Sequence, residues 1–277
     1  MSMRSRGWTL SAYAGCALFA IFALAPLLWM IFSSLKPYEE LYTFPPSFNL
    51  STLGPHYYEK VLLSSPFPQF LANSLIVSVV STLISVLFAA MAGWSLARAR
   101  FRGQWLILNT VLLAYLFPQA LIVLPLFTAI AKLGLANTYL GLILAYVTFT
   151  FPFSTWMLTA YFAKVPIEIE EAGRMDGASN LTIFRRLVLP LAAPGIVTVA
   201  IFSFINAWNE FLYGLVILGG GEKRTLPVGL YNFVGGEFAQ WGEMMAATSL
   251  TMLPTLLLFL FIQRRLVGGL TAGAVKS

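Results

Sequence analysis

Uncharged apolar residues run along this chain in long blocks, with shorter polar segments between them. Six blocks reach the roughly 20 apolar residues that a helix needs to cross a bilayer. They are residues 10–35, 70–97, 104–131, 138–163, 191–218 and 244–263. Prolines at 26, 118, 125, 152 and 254 fall inside them. In lipid such breaks are tolerated when neighbouring helices satisfy the freed carbonyls. The first block is too long for a cleaved signal peptide and lacks a processing site. The pattern predicts an all-α polytopic membrane protein with six transmembrane helices, in one membrane domain over residues 1–277. There is no strong internal repeat and no low-complexity tail.

Composition removes the soluble alternative. The 277 residues are 58% hydrophobic and 10% charged, with a mean hydropathy of +0.80. A soluble domain carries about 25% charged residues. The net charge of +6 does not point to nucleic acid, because the basic residues form no base-reading or phosphate-tracking patch. One cysteine, Cys16, and one histidine, His56, exclude an internal disulfide framework and a Cys/His metal site. "AYAGC" ending at Cys16 has Tyr13 where a lipoprotein site wants a small aliphatic residue, so Cys16 reads as a small residue in a span.

Charge placement sets the orientation. With the N-terminus in the cytoplasm, Arg4, Arg6, Arg98, Arg100, Arg102, Lys164, Arg174, Arg185, Arg186, Arg264, Arg265 and Lys276 lie inside. Lys36, Lys60, Lys132, Lys223 and Arg224 lie outside, which accounts for all 17 Lys and Arg. The bias obeys the positive-inside rule. Both termini and the 164–190 segment are then cytoplasmic, and residues 36–69 and 219–243 form the long outer segments.

The cytoplasmic segment contains "EEAGRMDGASNLTIFRRLVLP", residues 170–190. Pro166 suits the first position of a helix. Glu168, Glu170 and Glu171 follow in the turns where carboxylates favour the helix dipole. Glu170 and Arg174 are spaced for an ion pair. Asp176-Gly177 interrupts the helix, Ser179 or Asn180 caps a second one, and Pro190 closes it. On pattern alone this helix–turn–helix knuckle is either a coupling device or an amphipathic interfacial loop.

The spacing Glu171-Ala172-Gly173, three residues, Gly177, nine residues, Leu187, one residue, Leu189-Pro190 resembles the EAA signature of ABC-importer permeases, EAA-x3-G-x9-I-x-LP. Gly173 stands for the second Ala and Leu187 for Ile. "LGLANTYLGLIL" (133–144), "NAWNEFLY" (206–213), "TLPVGLYNF" (225–233), "WGEMMAA" (241–247) and "GLTAGAVKS" (269–277) are similar to MalG-like permeases of carbohydrate ABC importers, and the likeness covers nearly the whole chain. The resemblance implies a type I ABC importer permease fold in the bacterial or archaeal cytoplasmic membrane.

It also implies partners. These are a second, homologous permease, two ATP-binding subunits and an extracytoplasmic solute-binding protein. The ATPase-coupling residues would be Glu170, Glu171, Ala172, Gly173, Asp176, Gly177, Leu187 and Pro190, with the small ones letting the ATPase approach. The outer 219–243 segment would approach the binding protein, and the C-terminal tail would reach toward the ATPase pair. The chain itself would be no enzyme and hold no cofactor; ATP and Mg would sit in the partner ATPase. "GGGEKRT" (219–225) lacks the spacing of a phosphate-cradling loop and reads as an outer hinge.

A polar stripe interrupts the fifth block. Within "FSFINAWNEFLYG" (202–214), Ser203, Asn206, Glu210 and Tyr213 share one face of a continuous helix, with Asn209 beside them. A charge near the bilayer centre costs about 2.5–3.5 kcal/mol, so such residues face a cavity or a partner. Two readings stand: a solute pathway offering hydrogen bonds to hydroxyls, or a contact between permease subunits. Tyr115 and Gln119, four apart beside Pro118, are further pathway candidates. Asn73-Ser74 reads as a helix cap or a gate contact. A sugar or oligosaccharide is the expected solute. Glycerol 3-phosphate is the alternative, although no Lys or Arg lies mid-span to bind it. A proton-coupled carrier would want further mid-span acids, and an intramembrane hydrolase a nucleophile–base pair.

Overall fold

The computed structural model describes residues 3–98, 102–233 and 240–274, with side chains for residues 11–98, 102–231, 233 and 240–261. Arg100, Lys276, residues 234–239 of the outer segment and the end of the tail lie outside the described residues. Every regular element among the described residues is helical. Four helices are long and apolar enough to span: Ser11–Ser33, Phe67–Arg98, Tyr139–Phe162 and Trp241–Phe261.

The other two blocks are not single straight helices. Block 104–131 is α5 (Gln104–Leu116) and α6 (Gln119–Lys132), bent by 95°. The cause is local. Phe117 precedes Pro118 and is driven into an extended conformation, φ −67° and ψ 134°. Block 191–218 is α11 (Ala193–Trp208) and α12 (Leu212–Leu218), interrupted at residues 209–211. The segment leading into α11 is bent by 79° from it. Among the described residues the count is therefore four unbroken candidate spans, or six if α5 with α6, and residues 180–208, each make one bent span.

The chain divides into two compact units, Met1–Pro68 with Gly229–Leu253, and Gln69–Val228 with Pro254–Ser277. The first unit holds α1 (Met3–Ser33), α2 (Tyr38–Leu41), α3 (His56–Leu63) and the start of α14 (Trp241–Ala274). No side chain from residues 11–32 is buried within the chain. Lys36, just after it, is only 3% exposed. Its ammonium lies 4.9 Å from the Trp29 ring, 4.8 Å from Phe32 and 5.6 Å from Phe48. Ring faces replace its water. Tyr58 joins Ser34 and Ser249 by hydrogen bonds of 2.7 and 2.8 Å, and Lys60 pairs with Glu243.

The second unit is built around α4 (Phe67–Arg98) and α7 (Tyr139–Phe162). Small and hydroxyl residues line their contact. In lipid, helices gain from close backbone approach and interhelical hydrogen bonds rather than from apolar burial alone. Ser85 and Thr150 share a hydrogen bond of 2.6 Å. A side chain at Gly93 would meet the Thr159 backbone at 3.0 Å. One apolar cluster gathers Val77, Leu142, Tyr146, Ala207, Tyr213 and Ile217. A second gathers Ala89, Leu158, Phe162, Ile183, Val188 and Val199.

Candidate functional site

The knuckle forms as its local chemistry dictates. α8 (Ile167–Met175) starts directly after Pro166, with Glu168 and Glu170 in its first turn. It ends in a Schellman motif. Gly177, at φ +77°, sends its N–H to the Arg174 carbonyl, and Ala178 sends its own to the Gly173 carbonyl, both at 3.0 Å. Ser179 caps α9 (Asn180–Ile183) by accepting the Thr182 N–H. The helix then widens into one π turn, Phe184–Val188, before α10 (Leu189–Leu191). Pro190 does not close the helix: α10 runs through it to Leu191, and the Leu189 N–H reaches back five residues to the Phe184 carbonyl.

The knuckle has two faces. Ile183, Phe184 and Val188 point into the unit. Glu171, Ala172, Asp176, Gly177 and Pro190 are exposed, as are Met175 (88%) and Leu181 (60%). Beside them Leu181, Thr182, Arg185 and Arg186 line a shallow cavity of about 330 Å³.

Three residues expected on the coupling surface, Glu170, Gly173 and Leu187, belong to the inner face. Glu170 is 0% exposed. Its carboxylate accepts from Arg98 Nε at 2.7 Å and Trp94 Nε1 at 3.1 Å, with the Arg174 guanidinium 3.5 Å away. The expected Glu170–Arg174 pair is thus the weaker of its ionic contacts. Gly173 is buried, and a Cβ there would lie 2.9 Å from Leu187 Cδ1. Leu187 is half-buried against it.

The polar stripe does not occupy one helix face. α11 stops at Trp208, so Glu210 and Tyr213 fall beyond its end. Glu210 does a different job. Its two carboxylate oxygens accept the Tyr213 N–H at 2.8 Å and the Gly214 N–H at 3.1 Å, satisfying the first turn of α12. Ser203 is buried and bonds Ser154 of α7 at 2.9 Å. Tyr213 is buried and its hydroxyl donates to the Gln119 carbonyl at 3.4 Å. Ser203, Glu210 and Tyr213 therefore serve contacts within the chain. Asn206 is half-buried and Asn209 exposed, and each donates to its own helix four residues back. Tyr115 and Gln119 stand on different helices across the 95° bend. Tyr115 packs on Phe153, which stacks on Phe202 at 4.1 Å.

Asn73 and Ser74 are not a helix cap. They sit inside α4 and hold the 219–226 loop. Asn73 Nδ2 donates to the carbonyls of Glu222 and Arg224 at 2.7 and 2.8 Å, and Ser74 Oγ accepts the Leu226 N–H at 2.7 Å. The Tyr139 hydroxyl donates to Asn73 Oδ1 at 2.8 Å. Gly219, Gly220 and Gly221 all have positive φ, which gives the run a defined turn after α12. The signal for this anchor was available: two adjacent polar residues in an apolar span need partners.

Residues 85–271 match a family described as binding-protein-dependent transport system inner membrane component. The chain belongs to that family. It is 37% identical to the inner membrane ABC transporter permease protein YcjP of Escherichia coli, over 96% of this chain and 95% of that one. It is 39% identical to the trehalose/maltose transport system permease protein MalG of Thermococcus litoralis, with 95% of each covered. The trehalose transport system permease protein SugB of Mycobacterium tuberculosis is 38% identical over 92% of this chain and 93% of its own. Among solved structures, a bacterial ABC transporter importing the acidic polysaccharide alginate superposes with a TM-score of 0.77 at 21% identity, over 95% of this chain and 98% of that one. That likeness gives the fold, the type I ABC importer permease fold. Members of this family are transporter components, not enzymes, and the apolar helices make this one a multi-pass inner-membrane protein.

Proposed function

We propose that the chain is the permease subunit of an ATP-driven importer for a sugar or oligosaccharide, and that it forms half of the translocation path. The observation that carries the reading is the knuckle. A signature-spaced helix–turn–helix presents Glu171, Ala172, Asp176 and Gly177 on one face and fastens its other face to the spans. The solute class follows the relatives, permease proteins of trehalose and trehalose/maltose transport systems. Both termini lie in the cytoplasm, as the charge bias requires. The chain pairs with a second, homologous permease above two ATP-binding subunits, which hold ATP and Mg, and a solute-binding protein delivers the sugar from outside. When the ATPase pair closes, the knuckles of the two permeases move together and the cavity opens outward. When the pair reopens, the cavity faces in. Asn206, Asn209, Tyr115 and Gln119 are the residues left to meet the solute.

The test is purification of the chain with its co-expressed neighbours, followed by a saccharide panel scored on ATP hydrolysis. Stimulation by at least one saccharide with its binding protein is expected. Crosslinkers on Glu171 and Leu181 should capture the ATPase. Capture of no ATPase from either position would overturn the reading.

A further inference from the structure

The knuckle and the outer loop are fastened to the same pair of helices, one at each end. At the inner end, Arg98 closes α4 with Nε on Glu170 at 2.7 Å and a terminal nitrogen on the Val165 carbonyl at 2.8 Å. Trp94 adds its N–H to Glu170 and packs its ring on Phe184 of the knuckle, with centroids 5.0 Å apart. At the outer end, Asn73 and Ser74 grip residues 222, 224 and 226, and Tyr139 at the start of α7 clips onto Asn73. Between them Ser85–Thr150 and the Gly93 contact lock α4 to α7. From Asn73 to Arg98 the helix covers about 37 Å at 1.5 Å per residue.

We infer that α4 and α7 form a rigid frame that carries knuckle displacement to the 219–226 loop, with Glu170 and Asn73 as the positioning residues at its two ends. The inference rests on the importer reading and adds to it a route and two residues. Glu170 is suited to the inner joint. Its charge is fully enclosed, and both α4 donors, Arg98 Nε and Trp94 Nε1, converge on its Oε1, with the Arg174 guanidinium 3.5 Å from Oε2, so the knuckle cannot shift without moving Arg98. A surface ion pair would slip, whereas an enclosed one with several donors holds a single geometry. Asn73 is suited to the outer joint because it uses both its amide donors and its oxygen at once. A loop held by an inflexible amide inside a helix follows that helix. A double-mutant cycle measures the coupling between the two joints.

The experiment uses the complete complex in vesicles. Glu170→Gln, Asn73→Ala and the pair are compared for co-purification of the ATPase, ATP hydrolysis alone, and hydrolysis stimulated by maltose- or trehalose-loaded binding protein. Assembly should persist in all three. Stimulation should fall about fivefold or more in each single variant, and the double variant should fall no further than the worse single. Arg98→Lys keeps the cation but cannot hold both partners, and it should behave like Glu170→Gln. Trp94→Phe should give a smaller loss. Full stimulation in assembled Glu170→Gln and Arg98→Lys complexes would overturn the frame, as would losses that multiply in the double variant. A wild-type complex that no binding protein stimulates would instead undo the importer reading.

Discussion

The break at Gly177 and the break at residues 209–211 are made with opposite chemistry. At the first, a glycine in the left-handed region closes α8 with two backbone hydrogen bonds, and a serine opens α9. The charged residues around it are mostly exposed. At the second there is no glycine turn. α11 ends at Trp208, and α12 begins with its N–H groups taken by the Glu210 carboxylate. The difference follows from the surroundings. Beside water a chain end can borrow solvent, so a glycine suffices. Inside a span each freed N–H must find a partner in the protein, and one carboxylate with two oxygens serves two of them. Each segment also carries one glutamate that faces inward: Glu170, in the first turn of α8, onto Arg98, and Glu210, at the break itself, onto α12. Each is a fastening within the chain.

That comparison breaks first at Glu210. Glu210→Ala leaves two buried N–H groups without acceptors, a loss of about 3 kcal/mol. Thermal unfolding of the purified complex should show it as a clear fall in Tm. Glu210→Gln keeps one acceptor oxygen and should recover about half of the loss. If Glu210→Ala unfolds at the parent temperature yet transports no sugar, Glu210 is a solute contact and the cap is incidental.

Gly177 is the next test, with a smaller effect. Nothing lies within 4 Å of a Cβ built there, so a substitution meets only the backbone strain of φ +77°. Gly177→Val should cost about 1–2 kcal/mol, and hydrogen exchange at residues 176–180 should rise. Asn and Asp tolerate the left-handed region better, so the two of them separate strain from charge. Gly177→Asn should keep the knuckle and its ATPase. Gly177→Asp should insert normally but lose sugar-stimulated hydrolysis, because it adds a carboxylate to the docking face. Equal behaviour of the two variants would mean that charge on that face is irrelevant.

How far the sequence reaches depends on how local the cause is. The knuckle was legible residue by residue because Pro166, Gly177 and Ser179 act on their own neighbours. Pro118 was visible too, but its consequence was not. Whether a proline gives a tolerated kink or a 95° bend depends on what receives the freed chain, and that is tertiary. Arg174 was found for Glu170 because it lies one turn away. Arg98, its stronger partner, lies 72 residues earlier. The loop that Asn73 holds lies about 150 residues downstream. The stripe at 203–213 failed for a related reason. Helical spacing was extended through a point where no helix continues, so the shared face held only as far as Asn206.

The smallest expected effect concerns the two departures from the signature. Gly173 and Leu187 replace Ala and Ile, and the structure puts them in contact. A Cβ at 173 would lie 2.9 Å from Leu187 Cδ1 and 3.2 Å from Ile183 Cγ1. The missing methyl makes room for the longer reach of the leucine, so the two departures compensate each other. Gly173→Ala alone gains about 1 kcal/mol of helix propensity and loses a similar amount to overpacking, leaving Tm nearly unchanged. Leu187→Ile alone withdraws the contacting methyl and should cost about 1 kcal/mol. Together they restore the signature pair, and the double variant should be more stable than the sum of the singles by about 1 kcal/mol. Strict additivity would mean that the two substitutions never felt each other, and the inner face of the knuckle would be looser than its geometry implies.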